Sequence, residues 1–320
     1  MGPFAAGVGC TLTTLVVLAL GLFAVRACAS RALQGSYLGP KYYDNEHYLR
    51  ALHYERARQP EAAIKEWKAL DADGWREIAT RPLAEALARE RRFEEALEVI
   101  DRNGSNVSWG EYIDLRTHLL EQWKGVDSAV AWLKELDAKD PTSPFWAEQL
   151  GVFHLDAGRP REALEPLLES VRRACALHGY RFDDRDELVD YQPAPSSDAE
   201  HEARATWHND IADLWPALQN LATAYEELDD DESAYKWATR DVSMARILNE
   251  QKGYLDPDEV EAGSSLGRLV RARVLTRRGE LELATTELDR AERTRGDAYY
   301  YRNQIALARE RIAELRRGKK

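Results

Sequence analysis

His201 and His208 stand seven residues apart, two helical turns, with Asp210 beside them, so two imidazoles and a carboxylate could share one face. A zinc site needs three or four convergent ligands, and this set reads instead as solvated histidines. Asp183, Asp184, Asp186, Glu187, Asp190, Asp198, Glu200 and Glu202 crowd carboxylates that could hold calcium, but the D-x-[DN]-x-[DN]-G ligand spacing is missing and the run reads as solvated charge. The sequence has no G-x-x-x-x-G-K-[ST], no G-x-G-x-x-G after a strand and no H-E-x-x-H, so no metal and no cofactor is expected. Nine Trp and 14 Tyr could stack on a ligand. Trp67, Trp109, Trp123, Trp132, Trp146, Trp207, Trp215 and Trp237 are spread through the chain, which suits packing between elements, with two or three left for a binding surface.

With little chemistry in the motifs, the elements that would present a surface become the question. The chain has 320 residues, 44 Lys+Arg against 56 Asp+Glu, and a formal charge of -12. Nucleic-acid binding, which draws most of its non-specific affinity from basic groups on phosphates, is not expected. Three cysteines make no disulfide framework, and Cys175 is the one beyond residue 28. Phe4 to Val25 carries no charge and is long enough at 1.5 Å per residue to cross a bilayer core of ~30 Å. A transmembrane anchor at residues 1–30, contacting lipid through 4–25, is therefore expected. A signal-like segment ending near Ala27-Cys28-Ala29 is the competing reading, weakened by the absence of Lys or Arg before the run. Arg26, Arg31 and Lys41 after the span favour a cytoplasmic body, with a periplasmic or secreted one left open.

Beyond residue 40, apolar residues recur at three and four, interrupted by short turn signals, and no run alternates as a strand. The segments Gln59-Pro-Glu-Ala-Ala63, Arg92-Phe-Glu-Glu-Ala96, Val126-Asp-Ser-Ala129 and Arg159-Pro-Arg-Glu-Ala163 each place an alanine after a turn, and these alanines step by 33, 33 and 34. Trp67, Ile100, Leu133 and Leu167 follow four positions on, where a helical neighbour packs over the alanine. Ala51, Ala84, Leu120 and Gly151 occupy the matching place in the preceding helix, and small residues there let two helices approach closely. Leu221-Ala222 to Ala238 and Ala272 to Ala291 make two further copies after gaps of 71 and 50 residues between the alanines.

This pattern resembles the tetratricopeptide repeat, a helix-turn-helix unit of 34 residues. The resemblance implies an all-α, right-handed superhelical solenoid of such hairpins. The expected layout is an N-terminal transmembrane helix, a linker at 31–41, repeats one to four at 42–171 and an acidic insertion, partly disordered, at 172–210. Repeats five and six with one extended helix follow at 211–298, and a capping helix with a basic tail closes the chain at 299–320. Within the insertion the acidic loop 183–202 is expected to stay mobile, since exposed ion pairs contribute little against the entropy of ordering it.

Family members bind peptides or partner helices on the surface lined by the first helix of each repeat. Here those positions are Tyr48, Leu52 and Glu55; Arg81, Glu85 and Arg89; Asp114, His118 and Glu121; and Glu148, Val152 and Leu155. Arg81 followed by Glu85 departs from the family's Lys and Asn clamp for a terminal carboxylate. The expected function is a membrane-tethered, non-enzymatic scaffold holding a peptide or helix of a partner protein. The alternative is a regulatory subunit or domain serving an enzyme.

Overall fold

The computed structural model describes residues 45–106, 108–183, 185–186, 188–190, 200–251, 264–294 and 298–318. The helices, in chain order, are α1 (Glu46–Arg56), α2 (Pro60–Ala72), α3 (Arg76–Arg89), α4 (Phe93–Asn103), α5 (Trp109–Lys124), α6 (Val126–Lys139), α7 (Pro144–Asp156), α8 (Pro160–His178), α9 (Glu200–Glu227), α10 (Asp231–Gln251), α11 (Ser265–Arg277), α12 (Leu281–Arg293) and α13 (Ala298–Gly318). Between α8 and α9 lie two short antiparallel strands, β1 (Arg181–Phe182) and β2 (Leu188–Asp190), which the sequence pattern did not disclose. Contacts divide the chain into two compact units, residues 1–119 and 120–320, with the boundary inside α5.

Five of the described hairpins share one turn; α5 and α6 are joined instead through Gly125 at φ 89°. At Arg58, Arg91, Gly158, Asp229 and Gly279 the backbone is left-handed, with φ between 54° and 81°. The next amide then reaches back five residues. Gln59 N–H donates to the Tyr54 carbonyl at 2.9 Å, Arg92 to Leu87 at 2.9 Å, Arg159 to His154 at 2.8 Å, Asp230 to Tyr225 at 3.0 Å and Glu280 to Leu275 at 2.9 Å. This is the six-to-one bond that closes a helix end on its own carbonyls. The carbonyl of that same residue accepts the first bond of the second helix, from Ala63, Ala96, Ala163, Ala234 and Ala284 at 2.9–3.1 Å. The recurring alanine is thus fixed by the turn at one place in each second helix.

All five are buried, as is Ala129, and so are Trp67, Ile100, Leu133, Leu167 and Leu288 four positions on. Burying one large apolar side chain contributes about 1.5–3 kcal/mol. The first-helix partners Ala51, Ala84, Ala222 and Ala272 have no exposed surface. At Gly151 the approach is so close that a Cβ there would lie 2.4 Å from Cγ of Leu167.

In the second unit one cluster joins α8, α9 and α10 through Leu167, Leu214, Leu218, Leu221 and Met244, with Val270 and Val274 of α11 added. Another joins α11, α12 and α13 through Leu269, Leu275, Leu288, Ile305 and Ile312. The helix α13 caps the last hairpin with Ile305 and Ile312 inward, while Arg309 binds Asp289 at 2.8 Å and Glu292 at 3.0 Å and Arg316 binds Glu282 at 2.8 Å. Tyr300 and Leu307 are 78% and 65% exposed. They lie one to two positions off the line Tyr301, Ile305, Ala308, Ile312, Leu315 that meets the cluster.

Two expectations are corrected. Among the described residues no helix is long and apolar enough to cross a membrane, which overturns the reading of a single-pass membrane protein. The long helices carry charges on every turn or two, as Arg302, Arg309, Glu310, Arg311 and Glu314 do on α13. The run 4–25 and the linker 31–41 lie outside the described residues.

The acidic loop 183–202, expected to stay mobile, is tied at Asp186, and the chain just before it is packed. Tyr180 is buried and Phe182 packs on the same cluster. The Arg240 guanidinium lies between the Phe182 ring at 4.8 Å and the Trp237 ring at 4.6 Å and bonds Asp186 at 2.8 Å. A stacked and paired cation that is mostly buried contributes more than the exposed pair the sequence suggested. Residues 191–199 lie outside the described residues.

Candidate functional site

The first-helix face of the first unit is held by Asn45, whose side chain accepts the amides of His47 and Tyr48 at 2.8 and 3.4 Å and so starts α1. Three residues on, the Tyr48 ring meets the Trp67 ring edge-on, with centroids 5.7 Å apart. The Trp67 indole N–H donates to Glu55 Oε1 at 3.1 Å, and Arg89 donates to the same oxygen at 3.0 Å. Beside them Leu52 is half-buried.

Arg81 donates through Nε to Glu111 at 3.0 Å and through Nη2 to Asp114 at 2.9 Å, and approaches Glu85 at 3.6 Å. Burial pulls the Arg81 pKa down, but the bonds to Asp114 and Glu111 outweigh it and raise it above the ordinary value. Glu55 to Arg89 is a step of 34 residues and Arg81 to Asp114 a step of 33. Equivalent positions of successive hairpins therefore face each other, and the charges that looked free in sequence are spent on one another. His118 is exposed.

A second set of ion pairs runs along the second helices. Arg92 binds Glu61 at 3.1 Å and Glu95 at 2.6 Å, while Lys68 reaches Glu95 at 3.1 Å. The hydrogen bond from Arg92, then that from Lys68, holds the Glu95 carboxyl at about 2. Its proton is gone well above that value, so it serves as a fixed anion. Inside the same unit Asn103 donates to Asp71 at 2.7 Å and to Thr80 at 2.9 Å, tying α2, α3 and α4 together.

In the second unit Glu121, Val152 and Leu155 are half-buried, and Leu155 packs on the core. Glu148 is turned inward, 9% exposed, with Gln149 donating to it at 3.0 Å. His154 is buried beneath this face and its Nδ1 has no partner. Burial, aided by Arg159 and Lys134 and opposed by Glu162 and Asp127, pushes its pKa below the ordinary 6.5. The unfolded chain therefore takes the proton first, so the stability present above pH 6.5 is lost as pH falls through that value towards the folded pKa. Urea midpoints should drop between pH 7.5 and pH 5.5, and His154→Leu should flatten that slope. An equal slope in both proteins would show that other groups cause it.

The expected histidine pair falls on α9, whose backbone is helical across His201 and His208. Among the described residues no group of three His, Cys, Asp or Glu side chains is placed to hold a metal. Trp67, Trp146 and Trp237 are buried, so these three are packing residues, and Trp215 donates to Asp241 at 2.5 Å. Sequence reasoning missed Arg240 and the Arg268–Glu287–Arg271 cluster. Neither has a signal in spacing.

Turn, step and close-packed alanines make this a helical-hairpin repeat protein with tetratricopeptide-like units. No family model matches the chain, and no curated protein does. Among solved structures it is similar to yeast Tom70, with a TM-score of 0.46 and 13% identity, over 79% of this chain and 44% of that one. It is also similar to BtubC from P. vanneervenii, at 0.44 and 16%, over 78% and 91% of the two chains. A tetratricopeptide repeat protein from Parabacteroides merdae matches at 0.28 and 12%, over 82% and 97%. This chain thus spans less than half the length of Tom70.

Proposed function

We propose that the chain is a non-enzymatic interaction scaffold that holds a peptide or helix of a partner protein on its first-helix faces. In the first unit the face consists of Tyr48, Leu52, Glu55, Arg81, Glu85, Arg89, Asp114 and His118. In the second it consists of Glu121, Glu148, Val152 and Leu155. The observation that carries the reading is the cross-repeat pairing of Glu55 with Arg89 and of Arg81 with Asp114 around half-buried Leu52. Side chains fixed by neighbours one repeat away lose little rotamer entropy when a ligand arrives, which is what preorganises a binding face.

A photoreactive phenylalanine analogue replacing Leu52, His118 or Val152 tests it, with the same analogue at exposed Leu283 as control. The expected result is a defined cross-linked partner from the three face positions, and a yield about tenfold lower when Arg89→Glu is added to the Leu52 replacement. Equal cross-linking from Leu283 and the face positions would overturn the reading.

A further inference from the structure

The exposed stripe on α13 borders a furrow of about 470 Å³ between α11 and α13. Leu307, Ala308 and Leu315 form its apolar side, and Arg273, Arg277 and Arg311 stand along it. Leu307 is 65% exposed, and Tyr300 lies seven residues, two turns, earlier on the same line of α13. A volume of this size accommodates one or two large side chains.

The charge around the furrow runs against that of the chain. Residues 264–320 contain 15 Lys and Arg and 8 Asp and Glu, within a protein of formal charge -12. Two of the three guanidiniums are braced from behind. Glu226, itself largely buried, accepts from Arg273 at 3.0 Å and from Arg277 at 3.4 Å, and Asp231 accepts from Arg277 at 2.5 Å. Gln304 also accepts from Arg273 at 2.9 Å. Arg311 meets Glu314 at 3.2 Å in a pair more than half exposed on both sides. Such a pair contributes ~0–1 kcal/mol, so an incoming carboxylate can replace Glu314 at little cost.

We propose that this furrow docks an acidic peptide with an apolar anchor, its leucine- or phenylalanine-like side chain seated on Leu307 and its flanking carboxylates on Arg311 and the braced pair Arg273 and Arg277. Charge complementarity selects that partner. A basic segment would face three guanidiniums, and a neutral apolar one would leave them unmatched at the edge of a dry contact. The furrow uses the first helix of the last hairpin and α13 but none of the face residues named above, so failure of this test leaves the reading of those residues untouched.

A display library of random 12-residue peptides panned on the full chain tests it, in parallel with Leu307→Asp and Arg311→Glu, both at exposed positions. Unchanged thermal melting shows that the two variants are folded. The expected result is enrichment of sequences pairing a large apolar residue with several Asp or Glu on the wild type. A synthetic peptide of that consensus should then bind about tenfold more weakly to either variant, with affinity falling as salt rises. No enrichment, a basic consensus, or binding indifferent to both substitutions would overturn the proposal. So would self-association of the wild type that Leu307→Asp abolishes and the acidic peptide does not compete, which would assign the furrow to a second copy.

Discussion

Replacing Glu287 with Leu is expected to remove about 3–5 kcal/mol of stability, the largest loss of any single change considered, because it strips the counter-ion from a buried cation. Glu287 Oε2 accepts from Arg268 at 2.9 Å and Oε1 accepts from Arg271 at 2.9 Å, with Arg268 and Glu287 both under 10% exposed. Burial pulls the Arg268 pKa down and Glu287 works against that pull. An arginine does not escape by losing its proton, so the cost of losing its buried carboxylate falls on the fold. The double variant Arg268→Met, Glu287→Leu should recover most of the loss, since an apolar pair of similar volume fills the same space. Chemical denaturation of the two proteins measures both. A single-variant loss under about 1 kcal/mol would show that water reaches the pair.

Gly151→Ala sets two known effects against each other. Alanine within a helix gains about 1 kcal/mol over glycine. Here the new methyl would sit 2.4 Å from Cγ and 2.5 Å from Cδ2 of Leu167, whose side chain is fully buried and has nowhere to turn. Overpacking of that kind costs about 1–3 kcal/mol, so a net loss is expected. Gly110, in α5, is the matched control, because among the described residues nothing lies within 4 Å of a Cβ there. Gly110→Ala should raise stability by up to about 1 kcal/mol. Urea midpoints moving in opposite directions for the two changes would establish the contact, and a gain at both would refute it.

The hairpin units were legible because their signal is local. A left-handed residue, a reversed amide and an alanine one turn later are decided within ten residues of chain, and the same geometry recurs with Arg, Gly or Asp at the left-handed place. Reading Gly151 as a site of close approach rested on the same logic, and its contact with Leu167 shows it. The candidate face was legible only as a set of positions. That Arg81 would turn to Asp114 and Arg89 to Glu55 depends on how far apart two hairpins sit, which no spacing within one hairpin encodes.

The docking of Phe182 and Asp186 on Arg240 was hidden for the same reason, Asp186 and its partner being 54 positions apart. Acidic composition alone could not weigh two aromatic rings beside one cation. On α13 the seven-residue spacing of Tyr300 and Leu307 does not by itself say which line of the helix packs. A helix that packs on one side against two others leaves that line to solvent.

Rungs such as Glu55–Arg89 and Lys68–Glu95 join a hairpin only to the one beside it. Cooperativity in such an array is short-ranged, a chain of neighbour couplings in place of one shared nucleus. Amide exchange should therefore be graded along each unit, slowest where a hairpin has partners on both sides and fastest where it has one. A partner that bridges two hairpins would then act as an added coupling, and its arrival would register as slower exchange well outside its own footprint.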